Sequence, residues 1–247
     1  LATEDYIPNH IIKEKSQLYS GFTNVLVDDQ IIDQFYEKKS IIIKNEILKE
    51  QKIILYPNEF LMLISNSNDK KTAIAKYINN NIPLKTIKEK QNVWHEIIAK
   101  NKEQVFALDL LTDPTIDIVT ITGRSGVGKT LLACAAGLSQ ILKTGNKSLY
   151  SRLIISRPIM PLGKDIGFLP GIKDEKMLPW LAPIQDNLRF LFGDDRFMLE
   201  EYIDKGIIEI EALTYIRGRS IENAFIIIDE TQNTNKHEIK TILTRVG

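Results

Sequence analysis

The sequence contains a single cysteine, Cys134, and this scarcity excludes several kinds of protein. One thiol cannot form a disulfide within the chain, and a metal site built on clustered cysteines is excluded as well. The three histidines, His10, His95 and His237, are too scattered in sequence to indicate a metal site. The sequence therefore indicates neither a disulfide framework nor a cysteine-based metal centre.

Net charge and long apolar runs are also missing. Lys plus Arg and Asp plus Glu both number 32, so no overall charge attracts nucleic acid or an anionic membrane. Only local basic patches can support an RNA or DNA hypothesis. No apolar run approaches the roughly 20 residues needed to cross a bilayer, and the N-terminus is not signal-like. These absences predict a cytoplasmic protein without a membrane partner.

The pattern of residue types changes along the chain, and we predict one domain over residues 1–95 and another over residues 96–247. The first part has short β-branched and aromatic runs separated by turn-like pieces, which predict strands at 22–27, 40–44, 52–56 and 59–64. With a short helix at 31–36, this is predicted to be a small, mainly β unit. Residues 76–100 are predicted to be a weakly structured connection.

Helical and apolar strand patterns alternate from about residue 101 onward. Helices are predicted at residues 102–111, 130–143 and 236–245. Strands are predicted at residues 117–122, within 148–159, at 207–210 and at 224–228. Such alternation favours a parallel sheet covered by helices.

Residues 123–130 match the phosphate-binding pattern G-x-x-x-x-G-K-[ST] at every fixed position. The eight residues are Gly123, Arg124, Ser125, Gly126, Val127, Gly128, Lys129 and Thr130. A predicted strand precedes them and a predicted helix follows, so backbone N–H groups can converge on an anion at the helix N-terminus. We predict a nucleoside triphosphate site in which Lys129 contacts the β- and γ-phosphates and Thr130 ligates Mg²⁺. The alternative is a glycine-rich turn with a chance Lys-Thr pair.

The stretch 225–230 provides the acidic groups that such a loop needs. Four apolar residues predict a buried strand, and Asp229 and Glu230 follow at its end. Asp229 is placed to hold Mg²⁺, directly or through water, and Glu230 to polarise the attacking water as a general base. Acidic pairs also occur as ordinary strand ends, so this motif gains its weight from the loop.

The adjacent Asp229 and Glu230 have a topological consequence. Phosphate-loop enzymes with this pair generally insert an extra strand between the loop strand and the acidic strand, and in many of them it follows the acidic strand in sequence. Here only the predicted helix at 236–245 follows, and the chain begins with Leu1 rather than methionine. We therefore interpret the sequence as a segment of a longer protein.

Several longer stretches resemble the PhoH family of ATPases, namely residues 156–171, 175–176, 179–180, 214–220 and 228–233. The resemblance covers residues 96–247 densely. It implies an α/β fold of the P-loop NTPase class, RecA-like and similar to superfamily one helicases, with a parallel sheet flanked by helices. ATP and Mg²⁺ are the implied cofactors, RNA the implied partner, and a homo-oligomeric ring, a hexamer, the implied assembly. In longer members a PIN-type nuclease domain precedes the ATPase, and residues 1–95 look similar to the connecting region.

The resemblance also adds candidate site residues. Gln104 resembles a glutamine that reads the adenine edge, whereas the alternative is an exposed glutamine at a helix start. Gln232 resembles the position that couples the γ-phosphate to neighbouring elements. Arg217 and Arg219 are candidates for arginine fingers on a neighbouring subunit's nucleotide or for RNA phosphate contacts, with solvated surface arginines as the alternative. Arg157 is a similar candidate.

Three functions fit these motifs to different degrees. The leading hypothesis is a Mg²⁺-dependent ATPase associated with RNA, helicase-like or coupled to a nuclease domain. The alternative is a nucleotide-gated regulatory module that controls a partner domain without motor activity. A small-molecule kinase shares the loop, but residues 229–232 resemble nothing required for binding a phosphoryl acceptor. Cys134, on the Ala/Leu-rich helix, is predicted to be inert core.

Overall fold

The computed structural model of the chain describes residues 21–79, 82–87, 93–95, 97–142, 148–158, 178–193, 195–213 and 221–244. The chain divides into two compact units, Leu1–Lys88 and Glu89–Gly247. Each unit is built around its own sheet. Among the described residues, no helix combines the length and the hydropathy needed to cross a membrane.

The described residues of the first unit form a five-stranded sheet. Its strands are β1 (Phe22–Val27), β2 (Ser40–Ile41), β3 (Phe60–Ser65), β4 (Thr72–Lys76) and β5 (Leu84–Thr86), in the order β1-β3-β4-β5-β2. The β1 and β3 strands pair in parallel, and the other pairs are antiparallel. Helix α1 (Asp29–Lys38) buries Ile32 and Phe35 against the sheet, and α2 (Asn45–Glu50) is a shorter helix with no fully buried residue.

The predicted layout of this unit is right for β1, β3 and α1 and wrong in three other places. Residues 52–56 form a turn and an irregular stretch instead of a strand, and within residues 40–44 only β2 pairs. Residues 76–100, expected to be weakly structured, contain β5. A segment becomes a strand only where a neighbour satisfies its backbone groups, and β-branched runs do not reveal which segments find one.

In the described part of the second unit, three parallel strands form a sheet. They are β6 (Arg152–Arg157), β7 (Ile208–Ala212) and β8 (Ala224–Ile228), in the order β7-β6-β8. In register, Ser156 of β6 pairs with Ile228 of β8. Strands β6 and β8 contain continuous apolar runs, as expected where both faces of a parallel sheet are covered, whereas β7 alternates isoleucine and glutamate. This confirms the predicted parallel sheet with helices.

Five helices belong to the second unit as it is described: α3 (Lys102–Thr112), α4 (Lys129–Ile141), α5 (Leu178–Phe192), α6 (Arg196–Asp204) and α7 (Lys236–Leu243). The sequence pattern indicated α3, α4 and α7 but not α5 or α6. Leu153 and Ile155 of β6 pack in one cluster with α4, α5 and α6. Ile154 points to the opposite face and packs in a second cluster with Ile242 of α7. The alternation along β6 therefore places helices on both faces.

The strand predicted at residues 117–122 is wrong. Residues 118–124 form neither helix nor strand, and Ile118 is 64% exposed. Strand β8 pairs with β6 on one side, and the described residues place no strand on its other side. An apolar β-branched run without a neighbouring strand has no acceptor for its backbone N–H groups within a sheet. The run therefore remains an irregular segment that leads into the glycine-rich loop.

The packing of α4 on the sheet generates a stability prediction at Gly137. A Cβ atom at this position would lie 2.7 Å from Leu153 Cδ1 and 3.0 Å from Phe225 Cδ1, closer than side chains normally approach. Replacing Gly137 by valine should lower the free energy of unfolding by about 1–3 kcal/mol, because overpacking displaces the sheet side chains. Urea denaturation followed by circular dichroism measures this loss.

The control for this variant is Ser139→Val, which introduces the same β-branched residue at a half-buried position of the same helix. Valine has a higher helix propensity than glycine and one close to that of serine, so propensity cannot make the loss in Gly137→Val the larger one. Equal losses of stability in the two variants would contradict the tight packing of α4 on β6 and β8.

Candidate functional site

The glycine-rich loop leads directly into α4, which begins at Lys129. Gly126 and Gly128 have φ angles of 80° and 87°, in the left-handed region that glycine adopts without steric cost. Gly128 is the N-terminal cap of α4, and its carbonyl accepts the first helical hydrogen bond, from Leu132 N at 2.9 Å. The first amides of a helix have no acceptor within it, so this turn is suited to bind an anion.

The side chain of Lys129 folds back over this loop. Its Nζ donates hydrogen bonds to the carbonyl oxygens of Gly123 and Arg124, both at 2.9 Å. The two bonds hold a positive charge at the mouth of the loop. A phosphate oxygen carries more negative charge than a carbonyl oxygen and forms stronger hydrogen bonds with an ammonium group. An anionic phosphate is therefore suited to displace these carbonyls.

Gln104 lies against the same loop, on the first turn of α3. Its Nε2 donates to Val127 O at 3.2 Å, and its Oε1 accepts from Lys100 N at 2.7 Å. Its own backbone N donates to the capping side chain of Asn101 at 2.9 Å. The carboxamide therefore ties the start of α3 to the loop. The structure brings Gln104 to the predicted site, while its role in reading adenine stays a prediction.

A hydrogen bond joins the loop to the acidic strand. Thr130 Oγ1 donates to Asp229 Oδ1 at 2.9 Å, between residues that are 99 positions apart in sequence. The backbone N of Asp229 donates to Ser156 O at 2.8 Å, which continues the β6–β8 pairing one residue beyond β8. Asp229 is therefore fixed through both its backbone and its side chain. Because the hydroxyl proton of Thr130 is committed to Asp229, the lone pairs of its oxygen remain available to a cation.

Glu230 differs from its neighbour in backbone, exposure and partners. Its φ of 52° places it in the left-handed region, which is uncommon outside glycine and recurs at functional sites. Its side chain is 38% exposed, against 15% for Asp229. Gln232 Nε2 donates a hydrogen bond to Glu230 Oε2. The two carboxylates thus have different hydrogen-bond partners, Thr130 for Asp229 and Gln232 for Glu230, and Glu230 is the more exposed.

The structure also brings Arg157 to the acidic pair. Arg157 ends β6, and its Nη1 lies 3.9 Å from Asp229 Oδ2 while its Nη2 lies 3.7 Å from Glu230 Oε1. From the sequence this arginine was only a minor candidate for contacts to RNA or to a neighbouring subunit. Strand register is the signal that identifies it, because parallel pairing of Ser156 with Ile228 puts Arg157 beside Asp229.

Cys134 lies one turn beyond Thr130 in α4 and is fully buried. Burial, followed by the negative charge of Asp229, raises the pKa of the Cys134 thiol to about 12. A buried thiol that stays neutral at physiological pH is neither a nucleophile nor a metal ligand. The position agrees with its predicted place in the core.

Two predicted site residues, Arg217 and Arg219, lie outside the described residues. The same is true of residues 159–177, which carry most of the longest stretch on which the family resemblance rests. The roles given to these residues stay predictions.

Comparisons with known proteins identify the family to which this chain is similar. The PhoH-like protein family matches residues 96–247. Protein PhoH2 of Bacillus subtilis (strain 168) is 42% identical over 250 residues, which cover 100% of this chain and 54% of that protein. Protein PhoH2 of Mycolicibacterium smegmatis is 38% identical over 150 residues, covering 60% of this chain and 33% of that protein. The PhoH-like protein of Bacillus subtilis is 40% identical over 131 residues, covering 53% of this chain and 39% of that protein.

The chain thus spans about half the length of the first of these relatives. The family match covers the loop, the acidic pair and all three strands of the second sheet. The identity to the first relative extends over the first unit as well. The chain belongs to the PhoH-like protein family.

Proposed function

We propose that the protein binds ATP together with Mg²⁺ at the glycine-rich loop and hydrolyses it. The observation that carries the proposal is the hydrogen bond from Thr130 to Asp229. It sets the proposed metal ligands side by side at the start of α4, where Lys129 and the helix amides favour phosphate. Glu230 follows Asp229 directly and is the more exposed of the two carboxylates. The start of α4 and the end of β8 therefore bring together a loop suited to phosphate, two oxygen ligands and a candidate base.

The oxygen groups fit Mg²⁺ in kind and in number. Among the described residues, no group of three or more histidine, cysteine, aspartate or glutamate side chains is placed so that it could hold a metal ion by itself. Mg²⁺ is commonly held by one or two protein oxygens together with substrate phosphates and waters, and needs no all-protein cage. Thr130 and Asp229 supply those protein oxygens, and bound Mg²⁺ would neutralise charge on the β- and γ-phosphates.

Each side chain then has a distinct part in hydrolysis. Lys129 exchanges its two carbonyl partners for phosphate oxygens and stabilises the negative charge that develops there. Gln104 keeps the loop in place through Val127. Glu230 accepts the proton of the attacking water, and Gln232, bonded to Glu230, orients that carboxylate. This division matches the separate environments of the two acidic residues.

The wider parts of the proposal are supported by the family resemblance and the motifs. They are a P-loop NTPase fold of the RecA-like type, an RNA partner, and a hexameric ring in which Arg217 and Arg219 contact a neighbouring nucleotide. RNA stimulation of the hydrolysis rate tests the RNA partner. Sedimentation that finds only monomer in the presence of ATP would count against the ring.

Nucleotide binding is tested by Lys129→Ala in the full-length protein. The variant should bind a non-hydrolysable ATP analogue at least about tenfold more weakly, because it loses the charge-assisted contact to the phosphates. Isothermal titration calorimetry in Mg²⁺ buffer measures the affinity. The matched control is Lys205→Ala, since Lys205 is an exposed lysine that pairs with Glu201 in α6. Similar affinity in Lys129→Ala and the control would refute the site.

Hydrolysis is tested separately by Glu230→Gln. The variant should retain nucleotide affinity but lose about 10²–10⁴-fold in kcat, because it can no longer accept a proton from water. Release of inorganic phosphate by the full-length protein provides the measurement, with Glu201→Gln, an exposed position of α6, as the control. An unchanged kcat would exclude Glu230 as the base. Binding without any turnover in the unaltered protein would favour the nucleotide-gated module instead.

A further inference from the structure

The acidic pair already has a cationic partner within the chain. Arg157 approaches Asp229 to 3.9 Å and Glu230 to 3.7 Å, while its side chain is only 24% exposed. A guanidinium group is positively charged in proteins. A single guanidinium therefore lies across both of the carboxylates that the proposed function assigns to the metal and to the attacking water.

We propose that Arg157 is a positioning residue that acts as the built-in counterion of Asp229 and Glu230 when Mg²⁺ is absent. Resting on the proposed function, the inference specifies how the same site accepts a nucleotide. By offsetting the charge of the two carboxylates, Arg157 lets the anionic phosphates approach before the metal is bound. When Mg²⁺ ligates Asp229, it takes over that neutralisation.

Charge and distance support this assignment. Two adjacent carboxylates beside a phosphate loop repel the polyanionic ligand for which the loop is built. An opposite charge within about 4–6 Å is close enough to offset that repulsion substantially, and partial burial limits screening by salt. The contacts of 3.7 and 3.9 Å are longer than hydrogen bonds, so the guanidinium faces the pair without being locked to it. A divalent cation can therefore displace it at little cost.

The same position disfavours a role for Arg157 in contacts outside the subunit. An arginine that serves RNA or a neighbouring nucleotide must turn away from the pair and would leave both carboxylates without this cation. Register also fixes the placement, because the end of β6 lies beside the end of β8 in the paired strands. The geometry therefore favours action within the chain.

The deciding quantity is the dependence of nucleotide affinity on Mg²⁺. The affinity of the full-length protein for a non-hydrolysable ATP analogue is measured with saturating Mg²⁺ and with EDTA. The dissociation constant in EDTA is divided by that in Mg²⁺, and this ratio is compared between variants. In Arg157→Gln this ratio should rise about tenfold, mainly through weaker binding in EDTA, because the carboxylates are no longer neutralised. Arg157→Lys should give an intermediate ratio, since lysine keeps the charge but cannot face both carboxylates.

Arg152→Gln is the matched control. Arg152 is at the opposite end of β6, is 26% exposed, and pairs with Glu209 at 3.0 Å. Arg152→Gln removes one positive charge from the same strand, as Arg157→Gln does. Arg152 is paired with Ala224 at the start of β8, away from the acidic pair at its end. The control should leave the Mg²⁺ ratio unchanged, so a general loss of stability cannot produce the expected result.

The outcomes separate the inference from the proposed function. If the unaltered protein fails to bind the analogue even with Mg²⁺, the proposed function fails. If it binds and the ratio in Arg157→Gln equals that of the unaltered protein, the counterion role is overturned. Should Arg157→Gln not fold, the comparison is made in the Glu230→Gln background, where Asp229 still needs its counterion. If the ratio in the double variant does not exceed that in Glu230→Gln alone, the inference is overturned.

Discussion

The hydrogen bond between the Thr130 hydroxyl and Asp229 is the contact on which the rest of the site depends. It joins the first turn of α4 to the end of β8, two elements that the chain separates by nearly a hundred residues. The backbone bond from Asp229 to Ser156 fixes one end of this contact, and the burial of α4 on the sheet fixes the other. Any shift of α4 along the sheet would separate the glycine-rich loop from the acidic pair.

Charge balance follows from the same arrangement. Lys129 is held over the loop by two carbonyl oxygens, and Arg157 faces the two carboxylates. Besides Arg124 of the loop, Lys129 and Arg157 are thus cationic side chains of the site before any ligand is bound. In the proposed function, phosphate replaces the carbonyl partners of Lys129, and Mg²⁺ replaces Arg157 as the cation beside the carboxylates. On the proposed function, binding of ATP with Mg²⁺ would therefore exchange these internal contacts for contacts with the ligand.

The sequence predicted those parts of the site that are determined locally. The glycine pattern specifies the turn at residues 123–128, and the Ala/Leu-rich run after it specifies α4. The apolar run that ends at Asp229 predicted β8 with its observed bounds. These features depend on neighbours in sequence, so a single sequence contains the information that determines them.

Features that depend on distant neighbours were missed or wrong. Residues 118–121 have strand composition, yet no described strand lies beside them. The place of Arg157 beside the acidic pair depends on the register of β6 against β8, which the run at 148–159 did not define. In the first unit, the parallel pairing of β1 with β3 and the short β5 depend likewise on partners far along the chain. Composition sets a tendency, whereas pairing decides the outcome.

A double-mutant cycle on Thr130 and Asp229 tests most directly whether these residues form one metal–nucleotide site. Thr130→Val, Asp229→Asn and the double variant are compared with the unaltered full-length protein for affinity toward a non-hydrolysable ATP analogue in Mg²⁺. The two residues share one hydrogen bond and one proposed metal, so their effects should be coupled by about 1–2 kcal/mol. Additive effects of the two substitutions would contradict the account.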